Sequence, residues 1–336
     1  LTDEVLVIPT GGTIVSVSDG EGLSPDIKKT CDLLQKAELY FGGKHVNMRI
    51  CRVFGNRGYD SSDIGPDQWL KLSEAVMHAI KSGIKGILIL HGTDTMAYTS
   101  AWLSLCFNNE NIPVVLTGSQ RGPDTHDYDG WNNLLGASEF MMSVNCGVWL
   151  YFNGRAYRGD SVHKSDAERL DAFTGKVFTP PAADNAFALK DSSCRKELID
   201  LSFISRENQA VQRNDIALLH MVPGLEITVS GNESILIIEG YGAGNMPQSM
   251  HCKIKKNYPG KRKPQIIACS QAENGFKDPE AYSGVGIGEL SRSGFDVWSQ
   301  GDRTMEFICA LSHFAMLSSY DAPENVLKKF LDKCIK

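Results

Sequence analysis

Apolar residues along this chain come in short dense runs, separated by stretches in which they recur every third or fourth position. Glu4–Pro9, Gly86–Leu90, Pro113–Thr117 and Gly147–Phe152 are such runs, the pattern of strands buried on both faces. Asn47–Phe54 reads as a further strand. Helical spacing lies between them. Asp26–Leu39 follows Ser24-Pro25, and Pro66 opens a stripe of Trp69, Leu72, Val76 and Ile80. Thr95–Cys106 and Asn132–Ser143 complete the set. Strand alternating with helix predicts an α/β fold built on a parallel sheet. Residues 191–214 are charged and weakly periodic and read as a linker. Beyond them the style resumes, with strands near Ile216–His220, Ser234–Glu239 and Gln265–Ala268 and helices at Arg303–Leu317 and Pro323–Lys333. The expected architecture is a larger N-terminal parallel-sheet α/β domain (1–190) followed by a smaller C-terminal α/β domain (215–336). A length of 336 residues suits two cores better than one.

Composition narrows the class without deciding it. Hydrophobic residues make up 42% and charged residues 22%, which is ordinary for a soluble globular chain. No apolar run approaches the ~18–20 residues of a membrane span. The chain opens on a strand pattern rather than a basic, apolar leader. With Leu at position 1, an upstream start and a removed leader both stay open. A net charge of −6 argues against a nucleic-acid partner. The basic run Lys253, Lys255, Lys256, Lys261, Arg262 and Lys263 lacks the aromatic interleaving of an RNA platform and reads as a solvated helix end and loop. Nine cysteines, at 31, 51, 106, 146, 194, 252, 269, 309 and 334, form no CxxC or Cys/His metal spacing, and HExxH is absent. Reduced thiols in a cytoplasmic protein with no metal and no cofactor are the expectation.

In parallel α/β sheets ligands gather outside the carboxyl ends of the strands, and the unusual residues fall there. Pro9-Thr10-Gly11-Gly12-Thr13-Ile14 ends the first strand. It lacks phosphate-loop spacing, and alone it reads as a tight turn with capping threonines. His91-Gly92-Thr93-Asp94-Thr95-Met96-Ala97 ends the third. Asp94 there reads as a helix cap, or, beside Thr93, as a group holding an ammonium. Tyr59-Asp60-Ser61-Ser62-Asp63 reads as a polar loop or as a clamp for a small zwitterion. Lys164, after Arg155–His163, reads as a surface lysine or as the partner of Asp94.

Taken together and in chain order, these segments resemble the bacterial-type L-asparaginase family. The likeness rests on Thr10–Ile14, Asp60-Ser61-Ser62, His91–Thr99, Thr117-Gly118-Ser119-Gln120, Asp129-Gly130 with Asn133-Leu134, and Tyr157-Arg158-Gly159 before Lys164. The Asp-Ser-Ser and Tyr-Arg-Gly versions are similar to the cytosolic type I branch. The resemblance implies hydrolysis of the asparagine side-chain amide, with Thr13 as nucleophile forming an acyl-enzyme. Thr93 would position the hydrolytic water, Lys164 would tune its hydroxyl, and Asp94 would orient Lys164 and hold the substrate amine. Backbone N–H groups of Thr13 and Thr93 would stabilise the oxyanion. Gly12, Asp60, Ser61, Ser62 and Ser119 would line the substrate. The resemblance also implies a homodimer or homotetramer whose site is completed by a neighbour's Asn245, in Gly242-Ala243-Gly244-Asn245.

Two departures matter. The family places a catalytic tyrosine on the loop after the first motif, where this chain has Leu23. Tyr282 from a neighbouring subunit is the expected replacement, with an ordinary half-buried aromatic as the other reading. Ala272 stands near a cysteine used for allosteric asparagine in type I enzymes, which puts allostery in doubt. Competing functions are a subunit of an archaeal-type tRNA amidotransferase, which calls for an extra domain before the Gly-Gly motif, and a non-catalytic aspartate binder. Retention of Thr13, Thr93, Asp94 and Lys164 speaks for an enzyme. Asparagine and glutamine differ by one methylene, typically ~1–3 kcal/mol in a pocket, so their ratio is not legible.

Overall fold

Continuous apolar runs imply strands covered on both faces, and the structure, a computed structural model, has this arrangement. It describes residues 3–18, 20, 22–178, 201–205, 215–260, 262–272 and 286–334. They belong to two units, Leu1–Ser205 and Arg206–Lys336.

In chain order the first unit contains β1 (Glu4–Pro9), a 3-10 turn at Thr13–Val15, a hairpin of β2 (Ser16–Ser18) and β3 (Leu23–Pro25), α1 (Ile27–Gly43), and β4 (Asn47–Ile50). A 3-10 turn at Ser61–Asp63 follows, then α2 (Pro66–Lys81), β5 (Gly86–Leu90), α3 (Thr93–Phe107), β6 (Pro113–Thr117) and α4 (Gly130–Ser143). The last strands are β7 (Gly147–Phe152), β8 (Arg155–Lys164) and β9 (Phe173–Val177). The sheet order is β4-β1-β5-β6-β7-β8-β9. The first five strands are parallel, and the last two are antiparallel. From β1 the chain moves to one side to lay down β4 and then to the other for β5. The switch point therefore lies between β1 and β5, and their carboxyl-end loops border it.

Helices cover both faces. Leu33, Leu34, Ala37 and Phe41 of α1 and Leu134, Ala137 and Met141 of α4 pack with Val5, Val7, Leu88 and Val115. On the other side α3 is buried round most of its circumference, and Trp102 stacks on Trp69 of α2 with ring centroids 5.5 Å apart.

The second unit contains β10 (Ile216–His220), β11 (Ile235–Gly240), α5 (Gln248–Asn257), β12 (Gln265–Ser270), α6 (Gly288–Arg292), β13 (Val297–Ser299), α7 (Met305–Ser318), α8 (Glu324–Phe330) and β14 (Asp332–Lys333). Its sheet runs in chain order, parallel through β13, and β14 returns antiparallel. Leu236, Ile238, Ile266 and Ala268 pack with Met250, Ile254 and Leu290 beneath it. Among the described residues no helix is long and apolar enough to cross a membrane.

The structure moves several predicted boundaries. The first helix runs to Gly43, because Phe41 is fully buried and extends the apolar stripe past Leu39. The second strand stops at Ile50 rather than Phe54, since the chain turns at Gly55 (φ 76°). The last helix ends at Phe330, and its predicted tail instead pairs with β13. The division between units falls inside the polar stretch read as a linker. Within that stretch Phe203 is buried, its ring edge-on to Trp102 at 6.4 Å. Most of 191–214 lies outside the described residues.

Candidate active site

Three loops are tied together at the carboxyl end of the first sheet. Thr10 donates both its N–H and its hydroxyl to Leu90 O at 2.9 Å, fixing the exit of β1 to the end of β5. Tyr59 N donates to Thr10 O at 2.7 Å and Gly12 N to Tyr59 O at 3.1 Å, which adds the loop after β4. Gly12 then meets Gly92 backbone to backbone. A Cβ at Gly12 would lie 2.3 Å from Gly92 Cα, and one at Gly92 would lie 2.5 Å from Ser61 Oγ. Gly12 also sits at φ 82°, where side chains are strained. Thr13 and Thr93 each follow one of these touching glycines and each opens a helical turn, where backbone N–H groups lack intrahelical partners.

The charged pair is built on α3 and β8. Lys164 Nζ lies 2.8 Å from Thr93 Oγ1 and 2.5 Å from Asp94 Oδ1. Thr93 is buried and Asp94 is mostly exposed. The ammonium donates to both, so the single hydroxyl proton of Thr93 points elsewhere. Gln120 Oε1, at 3.4 Å, is its acceptor. Asp94 does not cap α3. Gly92 holds the N-cap position, and the carboxylate in the first turn faces Lys164 instead. The strand β8 has no counterpart among the predicted elements, because its mixed sequence hides the period. A register shift between Tyr157 and Val162 adds to that.

The other expected site residues divide. Ser61 is buried beside Gly92, and its carbonyl accepts from Thr95 Oγ1 at 2.5 Å. Asp60 caps the Ser61–Asp63 turn, accepting from Ser62 N at 2.9 Å and Ser62 Oγ at 2.6 Å. Ser119 is buried, with its hydroxyl donating to Arg121 O at 2.7 Å. Asn245 belongs to the second unit, where Tyr241 and Asn245 exchange both backbone bonds at 2.8 Å across a turn containing Gly242 and Gly244. Tyr282 lies outside the described residues. Among those residues, no three His, Cys, Asp or Glu side chains are placed to hold a metal ion.

Residues 4–190 match the family model described as Asparaginase, N-terminal. The chain belongs to the asparaginase family. The thermostable L-asparaginase from Thermococcus kodakarensis is similar over 97% of this chain and 96% of its own, with a TM-score of 0.70 and 25% identity. L-asparaginase I from Vibrio cholerae shares the fold, at TM-score 0.69 and 24% identity over 98% and 97% of the two chains. By sequence, a glutamyl-tRNA(Gln) amidotransferase subunit of Sulfolobus acidocaldarius is 32% identical over 75% of this chain. The same subunit of Pyrococcus abyssi is 30% identical over the same share. The chain spans only 58% and 59% of the length of these two relatives.

In this asparaginase-family chain, some residues that support the site are not marked by the sequence. Gln120 stands within a motif but has no role legible there. Tyr128 donates its hydroxyl to Ile14 O at 2.8 Å, pinning the turn that carries Thr13. Burial, then the Asp129 charge, pushes the Tyr128 phenol well above its usual range. Asp129 is buried and accepts from Gln120 N, Arg121 N and Asn133 Nδ2. Asp129 stands in one of the segments that carry the resemblance, but its role is not legible there, and Tyr128, a lone tyrosine on a loop, gives no periodic signal.

Proposed function

We propose that the chain is an L-asparaginase, hydrolysing the side-chain amide of asparagine to aspartate and ammonia. The observation that carries this reading is the Thr93–Lys164–Asp94 cluster standing one residue from the Gly12–Gly92 contact, with Thr13 on the other side of it. In the proposed reaction Thr13 Oγ1 attacks the amide carbon. The oxyanion accepts from the N–H groups of Thr13 and Thr93, a donor pair whose removal typically costs ~3–4 kcal/mol per donor. The Thr13 proton passes to the amide nitrogen as the C–N bond breaks and ammonia leaves. Water near Thr93 then hydrolyses the ester, returning a proton to Thr13 and releasing aspartate. The Lys164 ammonium holds the Thr93 hydroxyl as an acceptor, which turns its own proton outward. Asp60 and Ser61 bind the α-carboxylate through hydroxyl and backbone donors, and Asp94 takes the α-amine. Asn245 and Tyr282 are assigned to the neighbouring subunit of a homodimer or homotetramer, with Tyr282 supplying the phenol missing at Leu23. A cytoplasmic location goes with this reading. Ammonia release from asparagine and glutamine, measured for wild type and Thr13→Ala, tests it. Turnover in wild type and none in a folded Thr13→Ala protein is expected. Asparagine bound but not turned over would instead favour a non-catalytic binder.

A second reading rests on the curated relatives, which are amidotransferase subunits. In it the same threonine chemistry releases ammonia for amidation of an aminoacyl-tRNA. Amide hydrolysis that appears only with a partner subunit, or tight binding of tRNA, would favour it.

A further inference from the structure

His91 carries no charge-bearing role in the cluster above, yet it is fully buried directly before Gly92. Its hydrogen bonds fix one protonation state. Nδ1 lies 2.8 Å from Gly92 O, and Nε2 lies 3.0 Å from Thr99 Oγ1. A carbonyl only accepts, so Nδ1 bears a proton. Burial holds the imidazole pKa down to about 4, so the ring is neutral and Nε2 is an acceptor. The Thr99 hydroxyl must therefore donate to Nε2. It is free to do so because Trp69 Nε1–H, which can only donate, reaches Thr99 Oγ1 at 3.1 Å. The direction of the chain is thus determined from Trp69 through Thr99 and His91 to Gly92 O.

We propose that His91 is a positioning residue that aims the Thr93 N–H at the reacting oxygen. The carbonyl of Gly92 and the N–H of Thr93 belong to one trans peptide and point in opposite directions. Holding the carbonyl on the buried imidazole turns the N–H outward, at the open N-terminus of α3. The Gly92 carbonyl, at the N-cap of α3, also takes the first hydrogen bond of the helix, and the imidazole adds a second donor that fixes the plane of that peptide. Reversing the tautomer would put an Nδ1 lone pair against the Gly92 carbonyl, and the repulsion would swing the N–H off its target. Thr99, inside α3 with no exposed surface, donates to Nε2 and so reinforces the tautomer that the Gly92 carbonyl selects. This inference rests on the amide-hydrolysis reading and adds to it the group that orients one oxyanion donor.

His91→Phe fills the space of the ring, leaves Thr13, Thr93, Asp94 and Lys164 unchanged and removes the donor to Gly92 O. Removing an oxyanion donor outright typically costs about 100- to 1,000-fold in kcat. Mis-aiming one should lower kcat about 10- to 100-fold, with the asparagine KM little changed. His91→Asn, whose side-chain N–H can stand where Nδ1–H does, should restore most of the loss. A merely structural role would shift thermal stability in both variants without this split. ¹⁵N NMR of the His91 ring in wild type gives a readout that needs no variant, with a protonated Nδ1 and a bare Nε2 expected at pH 7. A folded His91→Phe protein with unchanged kcat, or a wild-type ring protonated at Nε2, overturns the proposal. Wild type that releases no ammonia is a different failure. It removes the hydrolytic reading and the oxyanion role with it.

Discussion

Gly12→Ala asks whether the contact between the first two loops is what makes the site. The added Cβ would sit 2.3 Å from Gly92 Cα and 2.4 Å from Gly92 N. Ordinary van der Waals contact begins at 3.4 Å, so the two loops must part by roughly 1 Å, and backbone on both sides offers no rotamer to yield. A displacement of about 1 Å in a catalytic constellation can cost about 100-fold, equivalent to ~2.7 kcal/mol of barrier. Gly12 also has φ 82°, which by itself penalises alanine by about 1–2 kcal/mol. Gly83→Ala separates the two effects. Gly83 shares φ 82° and has open space where its Cβ would go. Both variants should melt a few degrees lower than wild type, whereas only Gly12→Ala should lose asparagine turnover, by about 100-fold or more. The assay is coupled ammonia detection alongside a thermal melt. A Gly12→Ala enzyme with near-normal kcat/KM would show that the contact does not set the geometry, and the placement of Thr13 opposite Thr93 would lose its support.

Three further outcomes are expected of the same structure. Lys164→Met should abolish measurable turnover while moving the melting temperature little. Asp94 is mostly exposed, exposed ion pairs contribute about 0–1 kcal/mol, and ammonia assays with melts would reveal any other pattern. Phe203→Ala should destabilise the first unit by ~3–5 kcal/mol, seen in urea unfolding; a loss under about 1 kcal/mol would mean that Phe203 is not anchored on Trp102. The pH dependence follows from His91 and His313, both held down to about 4 by burial. In the unfolded chain both titrate near 6.5, so unfolding takes up two protons between roughly pH 6.5 and 4. Stability is full above that window and falls as pH drops through it, by about 3 kcal/mol per histidine at order of magnitude. The loss levels off below about pH 4. A melting temperature that stays flat from roughly pH 6.5 to 4.5 would contradict the burial of these rings.

The sequence carried the framework well because the framework is repetitive. Buried parallel strands such as Val5–Ile8 and Ile87–Leu90 need apolar residues on both faces, and that demand writes itself as unbroken runs. α2 announced itself through Pro66 and the Trp69–Val76 stripe, which its buried face reproduces. Legibility failed where structure is held by single contacts rather than by a period. β8 alternates no simple pattern, and Asp332–Lys333 pairs as a strand although it continues a helical run. At the site, the clustering of Thr93, Asp94 and Lys164 was expected from resemblance and is present as hydrogen bonds. The supports were not visible. Tyr128 reaches Ile14 across more than a hundred residues, and the Trp69–Thr99–His91 chain joins two helices and a strand end. Such pairings follow from the packed fold and leave no local trace.

The irregular register of β8 has a consequence for how this chain can vary over evolutionary time. Side chains on a strand alternate between faces, so a one-residue slip sends each to the opposite side. Lys164 closes a strand whose pairing with β9 already shifts between Tyr157 and Val162, and its ammonium meets Thr93 only at the present count of residues. Point replacements along Arg155–His163 leave that count intact. Gain or loss of a single codon there would turn the lysine away from its threonine, however conservative the neighbouring sequence. Descendants of this gene should therefore drift in letters through this strand while keeping its length.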